Sequence, residues 1–165
     1  MELGLTIPLQ KRLCLSPLSF SAQKDSFCWD LHLIRLHGRD SLLSVHCPSR
    51  YAFVLFDPSA AQWENLAPLF LSGLRASVSD AGISLKTLDV YLSEAGPISM
   101  TKTHGRREVA FLNRAWEDVL RFDHFTDPCS LFQPLLDRAV NQKPSRAAGC
   151  KDPAPAMRRL PELLF

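Results

Sequence analysis

Residues 29–47 read WDLHLIRLHGRDSLLSVHC, and this stretch has the clearest strand pattern of the chain. Two runs of apolar and strand-forming residues flank a short polar segment that contains a glycine. Because glycine accepts the backbone angles of a tight turn, the pattern predicts a β-hairpin that turns at Gly38-Arg39. In this register His32 pairs with Val45.

The segments that follow extend the hairpin into a domain with both strands and helices. The almost wholly apolar run Tyr51–Phe56 predicts a third antiparallel strand, central in the sheet because both of its faces are apolar. Ser59 and Gln62 have the spacing of a helix-initiating capping box, and Pro68 predicts a break in that helix near Ala67. The predicted fold class is α+β, an antiparallel β-sheet of about four strands with three or more helices packed on it.

The length of the chain, 165 residues, is that of one ordinary domain. Residues 1–140 are predicted to form this single α+β domain. Residues 141–165 contain several prolines and more basic than acidic residues, so they are predicted to form a basic C-terminal tail.

Composition and charge limit the classes of function. Lys and Arg number 19 against 17 Asp and Glu, so the net charge of +2 gives no argument for nucleic acid or for an anionic membrane. The five cysteines are odd in number and none has C-x-x-C spacing, which favours reduced thiols in a cytoplasm. No apolar run reaches the length of a membrane span. We therefore expect a cytoplasmic protein without membrane contact and leave its oligomeric state open.

The densest basic cluster lies in a turn and in the helix that follows it. Gly105 lets the backbone approach a ligand closely, and free N–H groups at the start of the helix would add to an anion site. The alternative is a solvated turn with nothing bound. The segment predicts a site for a protein partner or for phosphate, formed by Lys102, His104, Arg106, Arg107, Asn113 and Arg114.

No cofactor is expected, although one weak candidate set of metal ligands lies on the hairpin. Side chains alternate along a strand, so Cys28, His32 and Cys47 project from one face, where Asp30 offers a fourth ligand. Their spacing matches no zinc-finger pattern. The alternative is that the two cysteines are small buried hydrophobic residues.

Known catalytic motifs are not found in the sequence. There is no G-x-S-x-G elbow and no glycine-rich phosphate loop. The predicted strands are nearly free of the clustered carboxylates that a metal-dependent nuclease needs. The chain is therefore not expected to be an enzyme.

Several motifs together are similar to an uncharacterised bacterial and phage family, one of the domains of unknown function. The similarity covers about residues 1–125 and implies a short stand-alone protein of bacteria, plasmids or phages. It carries no established activity with it. The motifs are Trp29 at the start of a strand, Arg50–Leu55, the helix with Trp63, Leu66 and Phe70, Gly96, Thr101–Thr103, Arg106-Arg107 and Leu112-Asn113.

Three functional hypotheses follow. The leading one is a non-enzymatic protein-binding protein of bacterial or mobile-element origin, and its most specific form is an anti-CRISPR-like inhibitor of a host defence complex. A nucleic-acid-binding protein that uses the basic turn and the tail is the first alternative. An unrecognised hydrolase or nuclease is the second.

Overall fold

The computed structural model describes residues 1–16, 18–20, 25–145 and 154–156. Its helices and strands in chain order are β1 (Glu2–Leu5), α1 (Ile7–Arg12), β2 (Cys28–Leu36), β3 (Arg39–His46), β4 (Ala52–Leu55), α2 (Ala60–Glu64), α3 (Leu66–Asp80), α4 (Leu85–Ala95), β5 (Ser99–Lys102), α5 (Arg106–Arg121), α6 (Pro134–Gln142), β6 (Pro144–Ser145) and β7 (Ala154–Pro155).

The main sheet has five strands in the order β4-β3-β2-β1-β5. Strands β2, β3 and β4 form the predicted antiparallel meander, whereas β1 runs parallel to both β2 and β5. The α+β class is confirmed, and the sheet is mixed with five strands instead of antiparallel with about four. Parallel neighbours require long crossover connections. The apolar pattern of β1 predicts a strand, but it does not indicate which strands lie beside it.

The hairpin forms with a register that differs from the predicted one by two residues. Its two-residue turn is His37-Gly38, and both residues have positive φ angles, 47° and 77°. His32 therefore pairs with Leu43 instead of Val45. Because side chains alternate along a strand, a shift of two residues leaves every side chain on its predicted face.

Helices cover both faces of the sheet. On the first face, α1 to α4 enclose a core that includes Leu3, Trp29, Phe53, Phe70 and Tyr91. On the second face, α5 and α6 enclose a core that includes Ile34, Val45, Val54, Leu112 and Leu136.

Local helix signals act as the sequence predicts. The Ser59 hydroxyl accepts a hydrogen bond from the Gln62 N–H, and the Gln62 side chain accepts one from the Ser59 N–H. The chain leaves helical geometry at Asn65, which separates α2 from α3. Pro68 then lies in the first turn of α3, where its missing N–H costs little. The predicted break is confirmed, two residues earlier than expected.

Strand β4 lies at the edge of the sheet, so its predicted central position is wrong. Helix α6 covers this edge with two polar side chains. The Ala52 N–H donates to Asn141 Oδ1 at 2.8 Å, and Asn141 Nδ2 donates to the Ala52 carbonyl at 2.6 Å. The Val54 N–H donates to Asp137 Oδ1 at 2.9 Å. Side chains thus replace a further strand, which explains how an apolar strand can occupy an edge.

Replacing Asn141 with alanine is expected to lower the free energy of unfolding by about 2–4 kcal/mol, because two buried backbone groups of Ala52 lose their partner. Urea denaturation checks this. Gln142→Ala, at the exposed next position, is the control and should cost under about 1 kcal/mol. Equal losses in the two variants would contradict the role of Asn141.

The predicted division into a domain of residues 1–140 and a tail of residues 141–165 stays a prediction. In the described part, Asn141 belongs to α6, β6 pairs with β7, and Ala156 is buried. Lys143 is the one basic residue of the tail among the described residues, and the others lie outside them: Arg146, Lys151, Arg158 and Arg159. None of the helices in the described ranges has the length and apolar character to cross a membrane.

Candidate functional site

Helix α5 presents a row of arginines to solvent. Arg107, Arg114 and Arg121 are spaced seven residues apart, so they lie on nearly the same side of the helix. Leu112 and Val119 are buried on the opposite side, against the sheet. We call Arg107, Arg114 and Arg121 the arginine row.

A cleft of about 410 Å³ adjoins the arginine row. Four basic and two acidic side chains line it, so its charge is net positive. Asp118 is already paired with Lys143. These charged residues are Arg50, Arg114, Arg121, Lys143, Glu117 and Asp118.

Arg50 is a buried residue that stabilises the wall of this cleft. Its side chain is only 5% exposed, and its guanidinium stacks 3.8 Å from the centre of the Phe111 ring and contacts Glu108 Oε1 at 3.4 Å. The residue has a φ angle of 67°, an unusual backbone conformation for a side chain of this size. The Arg114 guanidinium lies over the same Phe111 ring, 5.6 Å from its centre, so two cations contact this ring.

The structure divides the predicted basic site into three parts. Arg106, Arg107, Asn113 and Arg114 are exposed on α5. Lys102 lies apart from them, with its ammonium 4.5 Å from the ring of Phe20. His104 points inward, against the sheet.

His104 contacts four other side chains that can exchange a proton or bind a metal ion. Its Nδ1 lies 2.7 Å from Asp30 Oδ1 and 3.6 Å from Cys47 Sγ. Its Nε2 lies 3.6 Å from Glu2 Oε2. Cys28 also contacts the ring. We call Glu2, Cys28, Asp30, Cys47 and His104 the His104 cluster.

The sheet and one glycine create the space for this cluster. Glu2 of β1 and Cys28 of β2 are register partners, as are Gly4 and Asp30. A Cβ atom on Gly4 would lie 2.1 Å from Asp30 Oδ1 and 2.7 Å from His104 Nδ1. Only glycine at this position therefore permits the contact between Asp30 and His104.

The charges of the cluster follow from burial and from these contacts. Burial lowers the pKa of His104, but hydrogen bonds to Asp30, Cys28 and Cys47 outweigh it and raise the pKa above the usual 6.5. His104 is therefore an imidazolium whose Nδ1–H donates to Asp30. Burial raises the pKa of Cys47 to about 11, so its thiol stays protonated at neutral pH.

The position of Cys47 does not match that of a nucleophilic cysteine. In a Cys–His–Asp relay the thiol and the carboxylate contact opposite nitrogens of the imidazole. Here Cys47 and Asp30 both approach Nδ1. A protonated thiol beside a protonated imidazole provides neither nucleophile nor base.

The predicted metal set is brought together in part. Cys28, Cys47 and Asp30 join the His104 cluster, whereas His32 lies elsewhere. His32 Nδ1 is 2.9 Å from the Thr6 hydroxyl, and its ring packs edge-on against Trp116. His104, from the predicted basic turn, takes the place that the sequence assigned to His32.

A second cleft, of about 330 Å³, lies between α3, β4 and α6. Its acidic group Asp137 accepts hydrogen bonds from Val54 and from the Ser77 hydroxyl, and burial raises the pKa of this carboxyl. Asp80, at the rim, forms an ion pair with Arg138. The polar groups of this cleft are thus engaged in holding the edge of the sheet.

The predicted partner- or phosphate-binding site did not include Glu2, Arg50, Arg121 or Lys143, although Lys143 belongs to the predicted basic tail. The seven-residue spacing of the arginine row was visible in the sequence and would have added Arg121 to the site. Glu2, Arg50 and Lys143 reach their positions through contacts between distant segments, so no local pattern indicates them.

The sequence model of a family described as a domain of unknown function, DUF6933, matches residues 2–156 of the chain. No curated protein matches the chain.

Proposed function

The chain belongs to the DUF6933 family, and we propose that it is a non-enzymatic binding protein whose α5 surface takes an acidic segment of a partner protein. The observation that carries the proposal is the arginine row beside a positively charged cleft. The bacterial or mobile-element origin and the cytoplasmic location predicted from the sequence are part of this proposal.

The arginines of this surface are free to bind. Among the described residues, Arg106, Arg114 and Arg121 form no ion pair, whereas Arg107 contacts Glu108 at 3.3 Å. Guanidinium groups bind carboxylates through two parallel hydrogen bonds, which gives both strength and orientation. A partner with acidic side chains at helical or extended spacing would fit the row.

Two features favour an acidic protein segment over nucleic acid. Glu117 and Asp118 interrupt the cationic lining of the cleft, which suits the separately spaced carboxylates of a protein better than the continuous charge of a phosphate chain. Phe111, the aromatic residue of the cleft, already stacks on the guanidinium of Arg50, so it is not a free platform for stacking on bases.

Binding of two labelled probes of equal charge tests the proposal: a poly-glutamate peptide and an oligothymidylate. We expect the peptide to bind more tightly at about 0.05 M salt, and Arg114→Glu/Arg121→Glu to weaken its binding about tenfold or more. Fluorescence anisotropy measures both.

Lys11→Glu/Lys86→Glu is the matched control, since it makes the same charge change on α1 and α4, behind the other face of the sheet. It should bind the peptide nearly as the wild type does. Tighter binding of the oligonucleotide would favour the nucleic-acid alternative. Equal weakening by both double variants would show that only net charge matters.

The narrower hypothesis from the sequence, an anti-CRISPR-like inhibitor of a host defence complex, is the case in which the partner belongs to such a complex. Its test is the identity of the partner that the arginine row captures.

A further inference from the structure

We propose that Glu2, Cys28 and His104 bind one divalent ion of the zinc class, with Asp30 orienting the histidine. This site lies inside the domain and is independent of the partner-binding surface on α5. It also differs from the predicted set of Cys28, His32 and Cys47.

The ligand atoms are already close together. Glu2 and Cys28 lie side by side on the same face because they are register partners on β1 and β2. The possible ligand atoms of Glu2, Cys28 and His104 all lie within 4.8 Å of one another. The separation between Glu2 Oε2 and His104 Nε2 is 3.6 Å. Two such atoms bound tetrahedrally to zinc are about 3.4 Å apart, so only a small adjustment is needed.

His104 is held as zinc-binding histidines are held. Its Nδ1 contacts Asp30 Oδ1 at 2.7 Å, which fixes the ring and leaves Nε2 directed at Glu2. A metal-bound imidazole almost always donates its other N–H to a carboxylate or carbonyl in this way.

Two polar atoms of the cluster have no hydrogen bond of normal geometry among the described residues, although Glu2 and Cys28 lie near the His104 ring. They are His104 Nε2 and Asp30 Oδ2. The His104 side chain is only 6% exposed, so solvent does not readily satisfy its Nε2. Buried polar atoms without a partner are uncommon and call for an explanation such as a bound ion. The ion would bind Nε2 directly.

The donor set suits a borderline metal. One thiolate, one imidazole and one carboxylate match zinc and its cobalt substitute better than calcium or magnesium, which prefer oxygen alone. On binding, the Cys28 thiol and the His104 Nε2–H each release a proton to solvent. A three-ligand set of this kind completes its coordination with water.

Isothermal titration of metal-free protein with Zn²⁺ is the test, together with cobalt absorption spectra. We expect one ion per chain in the wild type, loss of binding in Cys28→Ser and His104→Gln, and about 10–100-fold weaker binding in Asp30→Asn. His32→Gln is the matched control and should bind as the wild type does, because His32 lies outside the His104 cluster.

X-ray absorption spectroscopy of the zinc-loaded wild type identifies the atoms bound to zinc. This measurement does not require that any variant folds. The proposal predicts a single sulfur ligand. Two sulfur ligands, or loss of binding in Cys47→Ser but not in Cys28→Ser, would overturn the assignment of ligands. A wild type that binds no zinc would overturn the site itself.

Discussion

Replacing Asp30 with asparagine is expected to lower the free energy of unfolding by about 3–5 kcal/mol, because His104 keeps its buried position and loses its anionic partner. Asp30 Oδ1 accepts hydrogen bonds from both Nδ1 and the backbone N–H of His104, at 2.7 and 3.2 Å. The matched control is Asp40→Asn. Asp40 forms ion pairs with Arg12 and Arg35 at the surface, so its loss should cost less than about 1 kcal/mol.

The loss in Asp30→Asn should depend on pH in a defined direction. The folded-state pKa of His104 is raised above its ordinary 6.5, so the contribution of the pair is fully present below pH 6.5 and declines as the pH rises through the raised pKa. Urea denaturation of chelator-treated wild type and variant across this range measures the difference. A difference that grows with rising pH would contradict an imidazolium at His104.

A double-mutant cycle measures the interaction free energy between Asp30 and His104 apart from their contacts with other residues. Asp30→Asn/His104→Gln removes both charges, so it should cost less than the sum of the two single variants. Additive losses would mean that Asp30 and His104 act independently.

Replacing Gly4 with alanine is expected to cost about 3–5 kcal/mol, since the new methyl group occupies the contact between Asp30 and His104. The backbone of Gly4 does not have a positive φ angle, so the effect is one of space. The same variant should also lose zinc binding, because the histidine can no longer keep its orientation.

Gly82→Ala provides the comparison for Gly4→Ala. Gly82 has a φ angle of 78° and no atom within 4 Å of a new Cβ, so only backbone strain of about 1–2 kcal/mol is expected there. Urea denaturation of both variants decides the matter. If Gly4→Ala costs no more than Gly82→Ala, the close contact at Gly4 is not essential.

Local sequence signals predicted the local structure. The Ser59–Gln62 capping box, the Pro68 break and the hairpin of residues 29–47 all depend on residues near one another in the chain, and the structure confirms them. The turn was displaced because His37 adopts a positive φ angle beside Gly38, which neighbouring residues alone did not indicate.

The arrangement of the sheet could not be predicted in the same way. Strand β1 pairs with β2 and β5, which lie about 25 and 95 residues farther along the chain. The apolar run of β4 indicated two covered faces, and the structure shows both covered. Its edge is protected by Asp137 and Asn141 of α6, and single-sequence periodicity carries no signal for such a pairing.

In the candidate site, too, the local features were predicted from the sequence and the long-range contacts were not. Arg107 and Arg114 were predicted from their density in the sequence, and both are exposed on α5. His104 belongs to the same basic segment, but its contact with Asp30 spans 74 residues and depends on the absence of a side chain at Gly4. Long-range contacts of this kind determine which residues of the segment are buried. The local sequence pattern alone does not distinguish a buried residue from an exposed one.

Native mass spectrometry of the protein purified at low salt from its source cells shows whether the arginine row binds a partner protein. We expect a discrete protein partner that is captured by the wild type and by Lys11→Glu/Lys86→Glu and is lost in Arg114→Glu/Arg121→Glu. Capture of nucleic acid alone, or of the same partner by the Arg114→Glu/Arg121→Glu variant, would contradict this expectation.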